Sequence, residues 1–182
     1  MVPTKLLWVD LEMTGLDSSR DVILEVAAEV TDFNFKTLAS YEAVISRSEE
    51  VLGTMNEWAT NQHAASGLSE RIRSTGRPEE DVKHELVGFI QAQFGSELAI
   101  LAGNSIHNDR KFIDAWWPEV SKLLHYRMLD VSSFKVLMQG KYAVIFEKKD
   151  VHRAFDDIQA SIAELQFYLE KLPSLAASNT KK

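Results

Sequence analysis

Hydrophobic positions in the first quarter of the chain follow the short runs that are typical of β-strands. Segment 5–12 is rich in Leu, Trp and Val, and segment 37–47 alternates apolar and polar positions. Segment 22–32 mixes strand and helix character, but its short length and the turn-like residues DSSRD before it favour a strand. The sequence therefore predicts an antiparallel meander of three strands over residues 5–47.

Beyond residue 47 the apolar spacing turns helical and then alternates between the two kinds of element. In chain order the predicted elements are a helix around MNEWATNQH, a helix over 78–95, a strand over 99–103, a helix over 110–117, and a strand over 127–131 with a short helix after it. Pro78 and Gly95 mark the ends of the second helix, and Pro118 stops the third. This order predicts an α/β fold on a five-stranded mixed sheet flanked by helices.

The last helix shows the clearest periodicity. Its apolar residues recur every three or four positions and form one stripe over five turns: Phe155, Ile158, Ile162, Leu165, Leu169 and Leu172. After Pro173 the residues are small and polar. We therefore expect one domain over residues 1–173 and a polar, disordered tail over 174–182.

Composition narrows the class of protein. The length of 182 residues suits one domain, and 45% hydrophobic with 26% charged residues are ordinary values for a soluble globular protein. No apolar run approaches the roughly 18–20 residues of a membrane span, so no membrane partner is expected. Without cysteine there is no disulfide framework and no thiolate site. The first ten residues run directly into a strand and resemble no targeting peptide, so a cytoplasmic protein is expected.

The charge balance narrows the choice of partner. The chain carries a formal net charge of −7, with 27 acidic against 20 basic residues. Proteins that hold long nucleic acids through their phosphates usually present a basic surface, so extended duplex binding is disfavoured. A short oligonucleotide held by a few local cations remains compatible with this charge, and so does an acidic metal centre.

Two carboxylates stand at the end of the first predicted strand. Asp10 and Glu12 are two positions apart in WVDLEMTG, so their side chains leave the same face and are close enough to share a cation. Burying ionised carboxylates is costly unless they are paired or bind a metal. About four acid-x-acid pairs arise by chance in such a composition, so a strand end that runs into solvent is the alternative.

Two further clusters lie in the middle and near the end of the chain. GNSIHNDRKF places Asp109 in the first turn of a helix, where the helix dipole alone also stabilises a carboxylate. In HRAFDD, Asp157 lies nearer the edge of the apolar stripe than Asp156, which is predicted to face solvent. His152 precedes the regular helix, where an ordinary surface histidine is the alternative.

Together these four carboxylates and one histidine match the needs of metal-assisted phosphodiester hydrolysis. Mg²⁺ and Mn²⁺ prefer hard oxygen ligands and keep open positions for phosphate. Two such ions about 3.5–4 Å apart clamp the attacking and leaving oxygens of a phosphodiester. A histidine is suited to take the proton from the attacking water.

Four motifs in sequence order then resemble the oligoribonuclease family, within the histidine-type DEDD 3′→5′ exonucleases. They are WVDLEMTGLD, GNSIHNDRKF, HYRMLDVSS and HRAFDDIQASIAELQFY, and the resemblance extends from about residue 5 to residue 172. The resemblance implies a ribonuclease H-like fold, two divalent cations, and very short single-stranded RNA, including dinucleotides, as substrate. It also implies a homodimer.

The resemblance also assigns roles by motif position. Asp10, Glu12, Asp109 and Asp157 are implied as metal ligands and His152 as the general base. The implied substrate contacts comprise a base pocket, a cap on the 5′ phosphate and one residue from the partner subunit: Leu16, Trp58 and His63; Ser105, Arg127 and Ser132; and Tyr126. The stretch 138–151 departs from the family because it lacks its Arg-Arg-Trp-x-Pro character. Lys148 and Lys149 there either contact phosphate or keep the loop soluble, and the second reading is favoured.

Three rival functions remain open at this point. An RNA-trimming or proofreading exonuclease of the same superfamily shares all five catalytic positions. WVDLEMT loosely imitates the DxDxT opening of aspartyl-phosphate phosphatases, although the second acid there is usually Asp. A non-catalytic interaction protein on the same fold is expected to have lost metal ligands, and none is lost here.

Overall fold

A computed structural model describes residues 2–147 and 154–172, and five strands form one mixed sheet at its centre. The strands are β1 Lys5–Met13, β2 Ile23–Asp32, β3 Thr37–Val44, β4 Ala99–Gly103 and β5 Leu124–Asp130. Their order is β3-β2-β1-β4-β5, antiparallel from β3 to β1 and parallel from β1 to β5. The predicted meander and the predicted mixed sheet are both confirmed.

Helices cover both faces of this sheet. They are α1 Glu49–Leu52, α2 Glu57–Ala65, α3 Leu68–Ser74, α4 Glu79–Phe94, α5 His107–Trp116, α6 Pro118–Ser121, α7 Val131–Tyr142 and α8 Ala154–Lys171. None of the helices in the described part of the chain combines the length and apolarity that a membrane crossing requires. The predicted tail over 174–182 lies outside the described residues.

Burial on both faces explains the mixed character of the second strand. Nine of the ten residues of β2 are buried. One face of the sheet packs on α4 and α5 through residues such as Leu86 and Phe112, and the other packs on α7 and α8 through residues such as Met138 and Ile162. A strand covered on both sides reads as a continuous apolar run instead of an alternating one.

Several boundaries differ from the predicted ones because they depend on distant contacts. Strand β5 begins at Leu124, three residues before the predicted start, since Leu124 pairs with Ala99 of β4. The short helices α1 and α3 were not predicted. Leu52, Leu68 and Ile72 of these helices are buried together against β2 and β3, so tertiary packing stabilises helices whose own periodicity is weak.

The predicted apolar stripe of α8 is only partly confirmed. Ile158, Ile162 and Leu165 are buried as predicted, whereas Leu169 is 41% exposed. Polar side chains take part of the inner face instead, because the buried Glu164 accepts hydrogen bonds from Tyr168 (2.8 Å) and from Asn104 (3.0 Å). Polar groups that are hydrogen-bonded can be buried at little net cost in free energy. A search for hydrophobic periodicity does not detect them.

Candidate active site

The central strand of the sheet carries the first two predicted metal ligands. β1 lies between β2 and β4. Asp10 and Glu12 lie near its C-terminal end, and both side chains are half-buried. Asp10 lies opposite Ala27 and Glu12 opposite Glu25, and the register shifts directly after Glu12. A central strand is rigid, so both carboxylates are held at a defined edge of the sheet.

Helix α8 brings the third carboxylate to the same place. Asp157 lies in the first turn of α8, one position before Ile158, which anchors the helix in the core. Carboxylate oxygens of Asp10, Glu12 and Asp157 all lie within 4.8 Å of one another. Asp156 is exposed and Asp157 is half-buried, as their positions relative to the apolar stripe predicted.

Asp109 approaches this group from α5 and binds the backbone of β1. Its Oδ1 accepts a hydrogen bond of 2.9 Å from the Leu11 N–H, the residue between the two carboxylates of β1. Asp109 is 7% exposed, and this burial raises its pKa from 3.8 to about 7, although the Leu11 hydrogen bond acts in the opposite direction. The structure therefore brings Asp109 to the strand that carries Asp10 and Glu12.

Negative charge accumulates at this edge of the sheet. The pKa of Glu12 is raised from 4.5 to about 7, mainly by burial and in addition by the charges of Glu25, Asp157 and Asp109. A divalent cation suits such a site, because it offsets the repulsion and accepts hard carboxylate oxygens as ligands. The donor set and its spacing thus fit a divalent-cation centre.

Glu25 is a neighbour of the site that the motif analysis did not single out. It is 1% exposed and forms an ion pair with Arg71 of α3. Its burial raises its pKa, while Arg71 acts to lower it. The signal in the sequence was the presence of two acidic residues, Glu25 and Glu29, inside a largely apolar strand, where a buried carboxylate needs a partner.

His63 lies beside the carboxylates, on α2. It is 3% exposed, and its Nε2 lies 2.9 Å from the Met13 carbonyl oxygen. A carbonyl only accepts, so Nε2 carries the proton and donates it. The Nδ1 atom lies 3.8 Å from Glu12 Oε2. Burial lowers the pKa of His63, which favours the neutral ring.

Leu16 and Trp58, the other predicted members of the base pocket, lie on the surface. Leu16 follows β1 and is 81% exposed, and Trp58 lies in the first turn of α2 and is 67% exposed. The loop that carries Leu16 is ordered by the buried Asp21, which accepts hydrogen bonds from the Asp17 N–H and the Thr14 hydroxyl.

Ser105 and Ser132 are brought together at the ends of β4 and β5. Their Oγ atoms are 3.0 Å apart, and the Ser105 N–H donates to Ser132 Oγ at 2.7 Å. Asp130 Oδ1 accepts from the N–H groups of both serines, at 3.0 and 2.9 Å. These bonds hold Ser105 in a left-handed conformation with φ of 50°, which an L-residue seldom adopts.

Within one chain, Arg127 and Tyr126 do not line the cavity of Ser105 and Ser132. The Arg127 guanidinium lies 5.1 Å from the centre of the Tyr126 ring, and Tyr126 is 72% exposed. Arg127 lines a cavity with His125 and residues of the N-terminal segment, whereas Ser105 and Ser132 line a different cavity. His152, Lys148 and Lys149 lie outside the described residues.

Comparison with known proteins identifies the class. A family model described as an exonuclease, RNase_T, matches residues 7–165, so the chain is a nuclease of that class. Exonuclease I of Methylocaldum szegediense superposes with a TM-score of 0.71 at 17% identity, over 94% of this chain and 42% of that one. The zinc-bound complex of E. coli exonuclease I with single-stranded DNA gives 0.71 at 14% identity, over 97% and 43%. The predicted ribonuclease H-like fold is thereby confirmed.

Two curated relatives identify the branch of that class. The oligoribonuclease of Francisella tularensis subsp. novicida (strain U112) is 42% identical over 175 residues, covering 93% of this chain and 97% of the relative. The mitochondrial oligoribonuclease of Bos taurus is 40% identical over 169 residues, covering 90% and 71%. This chain belongs to the oligoribonuclease family.

Proposed function

We propose that this chain is a metal-dependent 3′→5′ exoribonuclease that hydrolyses very short oligoribonucleotides, dinucleotides above all, to nucleoside 5′-monophosphates. The observation that carries the proposal is the convergence of Asp10, Glu12 and Asp157 at one edge of the sheet. Membership of the oligoribonuclease family supports the choice of substrate. The net charge of −7 agrees with it, because a substrate of two nucleotides needs no extended basic track.

The cofactors in this proposal are two divalent cations, Mg²⁺ or Mn²⁺, held by Asp10, Glu12, Asp109 and Asp157. When bound, they supply Lewis-acid stabilisation of the charge that develops on the scissile phosphodiester. His152 is proposed to accept the proton of the attacking water, because imidazole titrates near neutral pH.

The nucleobase is proposed to lie against Leu16, Trp58 and His63. Large apolar side chains as exposed as Leu16 and Trp58 favour a contact with a ligand. Aromatic faces stack on any base, which suits an enzyme that degrades RNA fragments without regard to sequence. His63 is buried and neutral, and its ring lies between the Met13 carbonyl and the Glu12 carboxylate. It therefore connects the proposed base pocket with the carboxylate group.

The 5′ phosphate is proposed to be capped by Ser105, Arg127 and Ser132, with Tyr126 reaching in from the partner subunit of a homodimer. The paired serine hydroxyls support the cap, and the exposed Tyr126 ring supports an intermolecular role. A cap at this end explains a preference for very short RNA, because a longer strand has no path onward. The cytoplasm is the proposed location.

The test is hydrolysis of a 5′-phosphorylated diribonucleotide with Mn²⁺ or Mg²⁺, with and without a chelator. We expect Asp157→Asn to lower kcat by at least about 100-fold, because a metal ligand is lost from the group of three. Asp156→Asn is the matched control, since it removes the same charge from the adjacent, exposed position of α8. Equal activity of the two variants, or activity that survives the chelator, contradicts the proposal.

The same assay separates a trimming exonuclease from an oligoribonuclease. Two-nucleotide and twenty-nucleotide RNAs of the same base composition are compared under identical conditions. We expect kcat/KM to be at least about tenfold higher for the dinucleotide than for the longer RNA. The longer RNA loses a charge-assisted contact between its phosphate and the cap, and the loss of one such contact accounts for a factor of about ten. Equal values for the two RNAs exclude the preference for very short substrates.

A further inference from the structure

The cavity beside Ser105 and Ser132 contains a basic residue that neither the motifs nor the resemblance singled out. It has a volume of about 460 Å³ and opens where β4 ends and α7 begins, against α8. Its lining residues are Asn104, Ser105, Ser132, Lys135, Val136, Gln139 and Glu164. Among these residues Lys135 carries the only positive charge and Glu164 the only negative charge.

Helix geometry places Lys135 on the same side of α7 as Ser132. The two residues are three positions apart, so their side chains leave neighbouring points of one helix face. The Lys135 side chain is 43% exposed, which leaves the ammonium accessible from the cavity. Arg127, the cation expected at the serines, lines another cavity within one chain.

Glu164 holds the Lys135 ammonium near the cavity without binding it directly. Lys135 Nζ lies 3.9 Å from Glu164 Oε1, which is beyond hydrogen-bond distance. The Glu164 oxygens already accept hydrogen bonds from the Tyr168 hydroxyl and the Asn104 amide, which are neutral donors. The ammonium is therefore attracted by a buried charge, and no other described residue forms a hydrogen bond or ion pair with it, so its N–H groups can donate to a ligand.

A terminal phosphate has the complementary chemistry. A phosphomonoester carries about −1.5 to −2 charges near neutral pH and accepts several hydrogen bonds. Hydroxyl donors are present at Ser105 and Ser132. In this cavity such an anion adds charge beside the buried Glu164, so its binding requires a positive group within reach. Lys135 meets that requirement through its long, flexible side chain.

We propose that Lys135 is a substrate-binding residue that supplies one positive charge for the 5′-terminal phosphate in the cavity of Ser105 and Ser132. This inference rests on the proposed function and adds a residue to its phosphate site. Lys135 selects substrates that carry a 5′ phosphate over those that end in a 5′ hydroxyl.

The test compares kcat/KM for a diribonucleotide with a 5′ phosphate and for the same diribonucleotide with a 5′ hydroxyl. We expect Lys135→Gln to lower the ratio of the two values about tenfold, mainly through KM, because a charge-assisted contact to the phosphate is lost. Lys135→Arg retains the charge and is expected to keep the ratio within about threefold of wild type. Lys141→Gln, which removes an exposed lysine from the last turn of the same helix, leaves it unchanged.

Salt dependence supplies a second readout. For the phosphorylated substrate, the slope of log KM against log salt concentration is expected to fall by roughly 0.7 in Lys135→Gln, the contribution of one phosphate contact to single-stranded nucleic acid. A purely structural role of Lys135 leaves that slope unchanged and lowers both kcat/KM values together.

The outcomes distinguish this inference from the proposed function. Hydrolysis of the diribonucleotide with equal ratios in Lys135→Gln and Lys141→Gln overturns the role of Lys135 while the exoribonuclease assignment stands. Equal losses in Lys135→Gln and Lys135→Arg also overturn it, because the positive charge is then irrelevant. Failure of the wild-type protein to hydrolyse either dinucleotide refutes the proposed function itself.

Discussion

Asp109→Asn is expected to make the metal-free protein more stable and the enzyme inactive. The substitution keeps an oxygen that can accept the Leu11 hydrogen bond, which is 2.9 Å long, but removes the buried negative charge. The pKa of Asp109 is raised from 3.8 to about 7, chiefly by burial. At 1.36 kcal/mol for each tenfold change in proton affinity, this difference corresponds to about 4 kcal/mol.

The sign of the effect follows from proton linkage. The folded pKa of Asp109 lies above the unfolded value, so the folded state binds the proton more tightly. Ionised Asp109 therefore destabilises the fold by an amount that is absent below about pH 4, grows as the pH rises, and is complete above about pH 7. Asp109→Asn is expected to gain about 1–2 kcal/mol at pH 5 and up to about 4 kcal/mol at pH 8.

Thermal unfolding followed by circular dichroism measures this gain in the presence of a chelator. For a chain of 182 residues, about 2–4 °C in Tm accompanies each kcal/mol, so an increase of up to roughly 8–16 °C is expected at pH 8. Adding Mg²⁺ is expected to raise the Tm of wild type more than that of the variant, because Asp109 is one of the proposed metal ligands.

Asp156→Asn serves as the control, since its carboxylate is exposed on α8 and its removal changes the net charge equally. A Tm of Asp109→Asn at or below that of wild type at pH 8, or a difference that does not grow between pH 5 and pH 8, refutes the reasoning.

Two further substitutions test polar contacts of buried side chains. Arg71→Met leaves the buried Glu25 without its cation and is expected to lower the free energy of unfolding by about 2–3 kcal/mol in urea titrations; an unchanged midpoint contradicts the importance of that pair. Trp117→Phe removes the indole N–H that donates to the Glu79 carboxylate at 2.9 Å and leaves a cavity at a fully buried position, so it is expected to cost about 2–4 kcal/mol; a loss below about 1 kcal/mol contradicts the importance of that contact.

Local periodicity was sufficient to predict the sheet and two of its carboxylates. Asp10 and Glu12 share a face because they are two positions apart on a strand, and this depends on nothing outside that strand. Asp157 was distinguished from Asp156 by its angle to the stripe of α8. Each of these predictions depends on a single strand or helix and on the residue period of that strand or helix.

Long-range contacts account for what the pattern did not predict. The Asp109 carboxylate binds the Leu11 N–H, a contact between residues 98 positions apart. Glu164 occupies the inner face of α8 because Asn104 donates to it across 60 positions. Hydrophobicity scales treat such a buried acid as a surface residue, so only the assembled fold reveals its donors.

The three carboxylates meet in the fold but come from opposite ends of the amino-acid chain, and this has a consequence for biosynthesis. Asp10 and Glu12 leave the ribosome with the first strand, whereas Asp157 follows only with α8, after the rest of the sheet has been made. A nascent chain that lacks α8 holds two of the three oxygen donors and no docked helix beside them. The group of three carboxylates is therefore completed only after α8 has been synthesised and has packed against the sheet.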